Sequence, residues 1–421
     1  MLTGHPSKAI IGTAGRQLEG KRIVLGVTGS IAALRAPEVA RELMRRGAEV
    51  YAVMTSDAQK IIHPYALEWA TGNPVVTEIT GKIEYVAAAG GEGMAPVDLV
   101  LVAPVTANTL AKIAWGISDT PVTAYVSAAL GAHIPVVLAP AMHRCLWDSP
   151  AASENLSRLR ALGLTIVEPE LTEGKAKLVE VEELVEAVIR RLTLPTMAEM
   201  NVLVTAGPTV EYLDPIRVLT NRSSGRMGVA LAREALRRGA QVTLVYGPGT
   251  AKPPSGAKVI RVETSDQMRE TVVSQLRRGN CHVFFAAAAV SDFTPLQPSS
   301  RKLSTAQTPE LTVRLRATEK LVEEVKRLSP QTFLVIFKAE YQVPEEELAA
   351  KAEERMKQTE ADLVVANDVG RKGAEFGSKT TEALILDKAG ERVKVPLSRK
   401  EDVAAKILDL VQEKLKTRKP E

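Results

Sequence analysis

Short apolar runs alternate with helix-like stretches along the whole chain, and this alternation predicts two parallel α/β sheets in series. In the first half Arg22 to Val27, Glu49 to Met54, Leu99 to Ala103 and Ile134 to Ala139 read as strands. Helices are expected over Ala33 to Gly47, Asn108 to Ile117 and Val181 to Arg191. Thr193 to Glu199, TLPTMAE, holds a proline and no periodicity, which places a linker there. The reading is thus an N-terminal tail over 1–20, one domain over 21–192 and a second over 200–421. In the second half the strands are Val202 to Thr205, Gln241 to Tyr246, Val283 to Ala288, Thr332 to Phe337 and Leu363 to Ala366. Helices are expected over Val229 to Gly239, Asp266 to Gly279, Glu345 to Lys357 and Lys400 to Lys416, with a hairpin across Asp387 to Glu391.

Length agrees with this division, since 421 residues is long for one core. Charged residues at 25% and a hydrophobic share of 45% are ordinary for a soluble globular protein. The net charge is only +4, much of it in the run Lys414 to Lys419, and aromatics at 4% offer few stacking platforms, so nucleic acid is not an expected partner. Cys145 and Cys281 lie in different halves without a paired metal spacing, which argues against disulfide or zinc use. Apolar runs such as Leu99 to Pro104 and Val283 to Val290 are far shorter than the roughly 20 residues that span a bilayer. With no signal-peptide core before Gly20, a cytoplasmic location is expected.

The densest chemistry lies between Asn201 and Gly228, NVLVTAGPTVEYLDPIRVLTNRSSGRMG. A strand ending at Ala206-Gly207-Pro208 sets backbone N–H groups at the carboxyl edge of a sheet, where open α/β folds bind ligands. Ser223, Ser224 and Gly225 precede the helix of Met227 to Arg238, so amides and hydroxyls there can face an anion. The block reads as a phosphate site, with Gly207, Asp214, Arg217, Asn221, Ser223, Ser224 and Gly225 as candidates. Each has a plainer role open to it: Asp214-Pro215 is a common turn, and Ser223 could simply cap the helix.

Taken together, these residues resemble the signature of the phosphopantothenate–cysteine ligase family. The resemblance implies further site residues. Ala286, Ala287, Ala288 and Asp292 of AAAAVSDF would bind a nucleotide, and Lys302 would be a catalytic lysine beside Asn221. Phe337 of IFKAE would pack on the base, and Ala366, Asn367 and Asp368, with Phe376-Gly377-Ser378, match a final signature that includes substrate contacts alongside Asp214 and Arg217. Two departures stand out. Ala317-Thr318-Glu319-Lys320-Leu321 replaces a Lys-Xaa-Pro-Asp-Ile element, and two family lysines match Arg355 and Thr359, with Lys351 and Lys357 nearby. Lys351 and Arg355 are the cations expected at the nucleotide. The implied reaction activates the carboxylate of 4'-phosphopantothenate with CTP and Mg²⁺, releases pyrophosphate and forms an amide with cysteine.

In the first half, Gly26 to Ala33 (GVTGSIAA), Ala103 to Lys112 (APVTANTLAK) and Pro140-Ala141-Met142 resemble the FMN-dependent decarboxylases of 4'-phosphopantothenoylcysteine. Thr28, Gly29, Ser30, Ile31, Thr106 and Asn108 are the implied FMN contacts. The expected fold class is therefore α/β, two consecutive doubly wound domains: a flavodoxin-like flavoprotein domain, then a Rossmann-like ligase domain. Three decarboxylase positions are changed. Its histidine position is Lys82, its asparagine position is His143, and its lid cysteine is missing from a short segment, Glu168 to Lys175. Lysine stays protonated near neutral pH unless desolvated, and histidine cannot pair a carbonyl with an amide as asparagine does. Cys145 reads as buried or incidental. The leading reading is an active, homo-oligomeric ligase whose first half has lost the decarboxylation step. A fully bifunctional enzyme and a non-catalytic interaction protein are the alternatives. A dehydrogenase is disfavoured because neither glycine turn gives a full G-x-G-x-x-G with a following acid.

Overall fold

The computed structural model describes residues 4–90, 96–304 and 310–417; the first three residues of the expected tail and the charge run beyond Thr417 lie outside them. The chain forms two compact units divided between Thr193 and Leu194.

In the first unit, strands Arg22–Val27, Glu49–Met54, Leu99–Val105, Val136–Pro140 and Thr165–Ile166 form one parallel sheet. Numbered along the chain their order is 2-1-3-4-5, the flavodoxin-like order, with its switch point between the first and third strands. A parallel sheet must be covered on both faces, and the side chains show it: Leu25, Leu99 and Leu101 enter one core, Val24, Val100 and Val102 the other. The expected helix from Ala33 instead splits into a 3-10 turn, Ile31–Arg35, and a helix, Ala36–Arg45, because Pro37 suits only a helix's first turn. The expected tail is a correction. Pro6–Ile10 forms a 3-10 turn, Leu18 is fully buried, and the Gly12 amide donates to the Met44 carbonyl at 3.0 Å.

The second unit holds an eight-stranded sheet. Asn201–Ala206, Gln241–Tyr246, Lys258–Arg261, Val283–Ala286, Phe333–Glu340 and Leu363–Asp368 run parallel in the order 3-2-1-4-5-6, the Rossmann order. The short strand Lys258–Arg261 was not among those expected; it follows the Pro/Gly/Ser-rich stretch of residues 247–256, GPGTAKPPSG. An antiparallel hairpin, Thr380–Asp387 and Arg392–Arg399, extends the edge, its turn held by Asp387 accepting from the amides of Ala389 and Glu391. Here too the expected linker is a correction: Met197 is buried in the second core and its amide donates to the Arg238 carbonyl at 2.8 Å. The fourth strand ends two residues before the expected Ala288. Beyond it the Ala288 amide donates to the Thr205 hydroxyl at 3.3 Å, so the chain leaves the sheet and forms a wall.

Candidate active site

At the second unit's switch point, between the strands Asn201–Ala206 and Val283–Ala286, lies a cleft of about 940 Å³. Two glycines let its loops close up. Gly207 (φ +83°) could carry a Cβ only 2.9 Å from the Gly247 carbonyl oxygen, and Gly225 (φ +78°) only 2.9 Å from the Tyr246 ring. Gly207 therefore shapes the loops and does not line the cleft, whereas Ser223, Ser224 and Gly225 do. Gly225 caps the helix Arg226–Arg237 without a side-chain bond, leaving first-turn amides for an anion. The Asn221 amide nitrogen donates to the carbonyls of Ala289 (3.1 Å) and Val290 (3.2 Å). Only the NH₂ can meet two carbonyls, so the orientation is fixed and the side-chain oxygen remains as an acceptor.

Ala286, Ala287, Ala288, Asp292, Phe337, Lys351, Arg355 and Asn367 share this cleft, as do Phe376 and Gly377. Asp292 pairs with Lys320, which the sequence reading did not single out as a site residue. Lys351 meets Glu340 at 3.0 Å and Glu347 at 2.9 Å, and Arg355 meets Glu323 at 2.6 Å. Burial would raise the Glu340 carboxyl, but Lys338 and Lys351 outweigh it and hold it below its ordinary value. Two of the cations lining the cleft, Lys351 and Arg355, stand one helical turn apart on the same helix face. Thr359, which stands where the family has a lysine, is buried, its hydroxyl donates to the Arg355 carbonyl at 2.8 Å, and it is outside the cleft lining, as are Lys357 and Ser378.

Asp214, Arg217, Ala366, Asp368 and Lys302 are not brought to the cleft. Ala366 is core, and Asp368 is a buried loop organiser accepting from the amides of Gln342 (2.8 Å) and Gly370 (2.9 Å). The buried Asp214 carboxylate accepts from the amides of Ile216, Arg217 and Leu303 and from the Arg217 guanidinium at 2.6 Å. Burial opposes its ionisation, yet these donors together hold the carboxyl far below the usual carboxylate range. Arg217 also donates to the Leu303 carbonyl at 3.0 Å. Asp214 and Arg217 thereby clamp the loop next to the exposed Lys302, whose continuation over 305–309 lies outside the described residues. Sequence reasoning missed Arg226 and Lys400, both in the cleft wall. Arg226 adjoins the Ser-Ser-Gly loop and could have been found; Lys400 arrives only through packing of the terminal helix along Arg226–Arg237. Among the described residues no group of three or more His, Cys, Asp or Glu could hold a metal ion, and no helix is long and apolar enough to cross a membrane.

The first unit's switch point is built differently. Thr28 is fully buried, and its hydroxyl donates to the Pro104 carbonyl (2.8 Å) while accepting from the Thr106 amide (3.0 Å), stitching two loops rather than facing a ligand. A Cβ on Gly29 would lie 2.5 Å from the Asp57 Cβ, so only glycine fits there. The Ser30 hydroxyl accepts from the Ala32 amide, and Thr106 caps the helix Ala107–Ala114. Asn108 is exposed, and Ile31 and Leu34 stand 73% and 56% exposed. A helix N-terminus at a switch point, with hydroxyls and bare apolar side chains near it in sequence, fits FMN's phosphate and ring. Lys82 and His143 are exposed. The short segment is itself a hairpin, Glu170–Thr172 and Lys175–Lys177, turning at Glu173 and Gly174 in left-handed conformations and pairing with Met142–His143. Cys145, expected buried or incidental, is exposed.

These features define a two-domain chain: a flavodoxin-like flavoprotein unit followed by a Rossmann-type unit with a cleft at its switch point. Family models agree, "Flavoprotein" matching residues 11–193 and "DNA/pantothenate metabolism flavoprotein C-terminal domain" matching 197–415. The chain belongs to the family of the coenzyme A biosynthesis bifunctional protein CoaBC. It is 47% identical to that protein of Thermococcus kodakarensis over 411 residues, covering 98% of this chain and 100% of the relative. It is 35% identical to that of Methanocaldococcus jannaschii, covering 98% of each. Among solved structures, the C-terminal domain of a CoaBC protein is 28% identical at a TM-score of 0.45, covering 53% of this chain and 100% of that one.

Proposed function

We propose that the second unit is a phosphopantothenate–cysteine ligase that uses CTP, within an enzyme of coenzyme A biosynthesis. The observation that carries this is Asn221, locked on the Ala289 and Val290 carbonyls beside an open helix N-terminus at the switch-point cleft. In this reading the carboxylate of 4'-phosphopantothenate attacks the α-phosphorus of CTP, pyrophosphate leaves, and an acyl-cytidylate forms. The amine of cysteine then attacks the acyl carbon and CMP departs. Ser223, Ser224 and the helix amides receive phosphate oxygens, and Phe337 packs on the base with Lys351 and Arg355 near it. Asn221 positions the acyl intermediate, and Lys302, which stands outside the cleft lining on the loop held by Asp214 and Arg217, is the lysine assigned by family resemblance to offset negative charge as the leaving group forms. Mg²⁺ would be held mainly by the phosphates, with Asp292, which pairs with Lys320 here, as the carboxylate that could join them, and would supply charge neutralisation.

The test is incubation with 4'-phosphopantothenate, cysteine, Mg²⁺ and CTP or ATP. Pyrophosphate and the amide are expected with CTP; no product with either nucleotide removes the ligase reading. In the first unit, Lys82, His143 and the cysteine-free hairpin support a domain that keeps its fold and FMN pocket and has lost decarboxylation. A second reading, full bifunctionality, is favoured by the relatives' names and by their coverage of the whole chain. The visible spectrum of the purified protein tests the flavin, which is yellow when oxidised.

A further inference from the structure

The cations lining the second unit's cleft differ in their partners. Lys320, Lys338, Lys351 and Arg355 each meet a carboxylate. Lys400 is half-buried in the same cleft, and no carboxylate among the described residues pairs with its ammonium. It is the first residue of the helix Lys400–Thr417, at the positive end of that helix's dipole. Burial and the neighbouring Arg226 both disfavour its charge, and Glu401 offsets them only in part. Arg226, first residue of the helix Arg226–Arg237, spends a donor on the Gly377 carbonyl and has no carboxylate among the described residues either. The two helices pack together, so two helix N-termini, each opening with a cation, meet at one wall of the cleft. Such a wall is electrostatically unfavourable when empty and becomes favourable once an anion enters.

We propose that Lys400 and Arg226 seat a phosphate group of a phosphorylated substrate. The identity of that substrate, nucleoside triphosphate or 4'-phosphopantothenate, rests on the ligase reading; the phosphate itself does not. The experiment compares wild type, Lys400→Met and Lys400→Arg in the full chain. Each is titrated by calorimetry with inorganic tripolyphosphate, CTP, 4'-phosphopantothenate and, as a phosphate-free control, cytidine, alongside melting temperatures and ligase turnover. Lys400→Met is expected to weaken tripolyphosphate about tenfold or more, the weight of a charge-assisted hydrogen bond, with cytidine unchanged and Lys400→Arg near wild type. A matching loss for CTP assigns the wall to the nucleotide; a loss for 4'-phosphopantothenate assigns it to that substrate. Because a strained charge is removed, Lys400→Met should melt at or above the wild-type temperature. Unchanged affinity for all three anions, no tripolyphosphate binding by wild type, or a melting temperature several degrees lower in both variants would each overturn the proposal. If turnover is missing while Lys400→Met still loses tripolyphosphate, the ligase reading falls and this one stands.

Discussion

Both units place a glycine turn and a helix N-terminus at a sheet's switch point, yet they spend their polar groups in opposite ways. In the second unit Asn221 is fixed by two carbonyls with an acceptor to spare, and Ser223 and Ser224 line an open cleft. In the first, the Thr28 hydroxyl is fully used in joining two loops, and Lys82, His143 and Cys145 stand exposed. A shared fold thus supplies the place for a ligand, while the chemistry depends on the side chains brought there.

The sharpest way to break this contrast is to assay both reactions in one preparation. With FMN added, decarboxylation of 4'-phosphopantothenoylcysteine should run about 10⁴-fold slower than ligation, because groups acting as a unit are not rescued by those that remain. Carbon dioxide release near the ligation rate would restore full bifunctionality. In that event loss of activity in Cys145→Ser would identify the exposed thiol as a substitute for the lid cysteine.

Next in size is Asn221→Asp. A carboxylate would turn an oxygen toward the Ala289 and Val290 carbonyls in place of an NH₂, and would repel an anionic intermediate. Ligation, followed by pyrophosphate release, should fall about 10²–10³-fold with the melting temperature little changed. A near-wild-type rate would mean that the residue only shapes the loop.

How much of this was legible in sequence differs between the regions. Strand runs such as Gln241–Tyr246 and Glu49–Met54 match the structure end to end, because each is a short run rich in valine and tyrosine that opens on one polar residue and is buried over its last three positions. The Asn221 to Gly225 loop was legible because its residues are contiguous. Asp214 and Asp368 were read as substrate contacts, but a buried carboxylate that organises a loop looks the same in sequence as one that meets a ligand. Lys400 left no local signal, since its place in the cleft depends on helix packing. Thr359 corresponds to a family lysine by resemblance, and sequence alone does not show its helical phase: positions 351 and 355 line the cleft, whereas position 359 is rotated into the core.

Asp214→Asn tests the loop clamp that has no counterpart described in the first unit. Its amide would face the Arg217 guanidinium and the Leu303 amide donor to donor, releasing the loop that carries Lys302. About a tenfold loss of turnover is expected, with faster proteolysis near Leu303. Combined with Lys302→Ala, the loss should be no larger than that of Lys302→Ala alone. The pH dependence follows from the lowered carboxyl. Its contribution is fully present above the unfolded value, near 3.9, and is lost only as pH falls below that through the lower folded value. The wild-type clamp should therefore hold unchanged from pH 7 to about pH 4, and the variant's deficit should be flat across that window.

The smallest expected effect separates Lys351 from Thr359. Lys351 is held toward the cleft by Glu340 and Glu347, whose contacts raise its pKa and keep it charged. Lys351→Ala removes that charge and leaves Glu340 with Lys338 alone. The KM for CTP should rise about fivefold with turnover nearly constant, the pattern of lost uniform binding. Thr359→Val keeps the volume and loses one hydroxyl bond to the Arg355 carbonyl, so it should lower the melting temperature slightly and leave the KM alone. Nucleotide kinetics on the two variants read this directly. If Thr359→Val raised the KM and Lys351→Ala did not, the cations facing the base would have been assigned one turn out of phase.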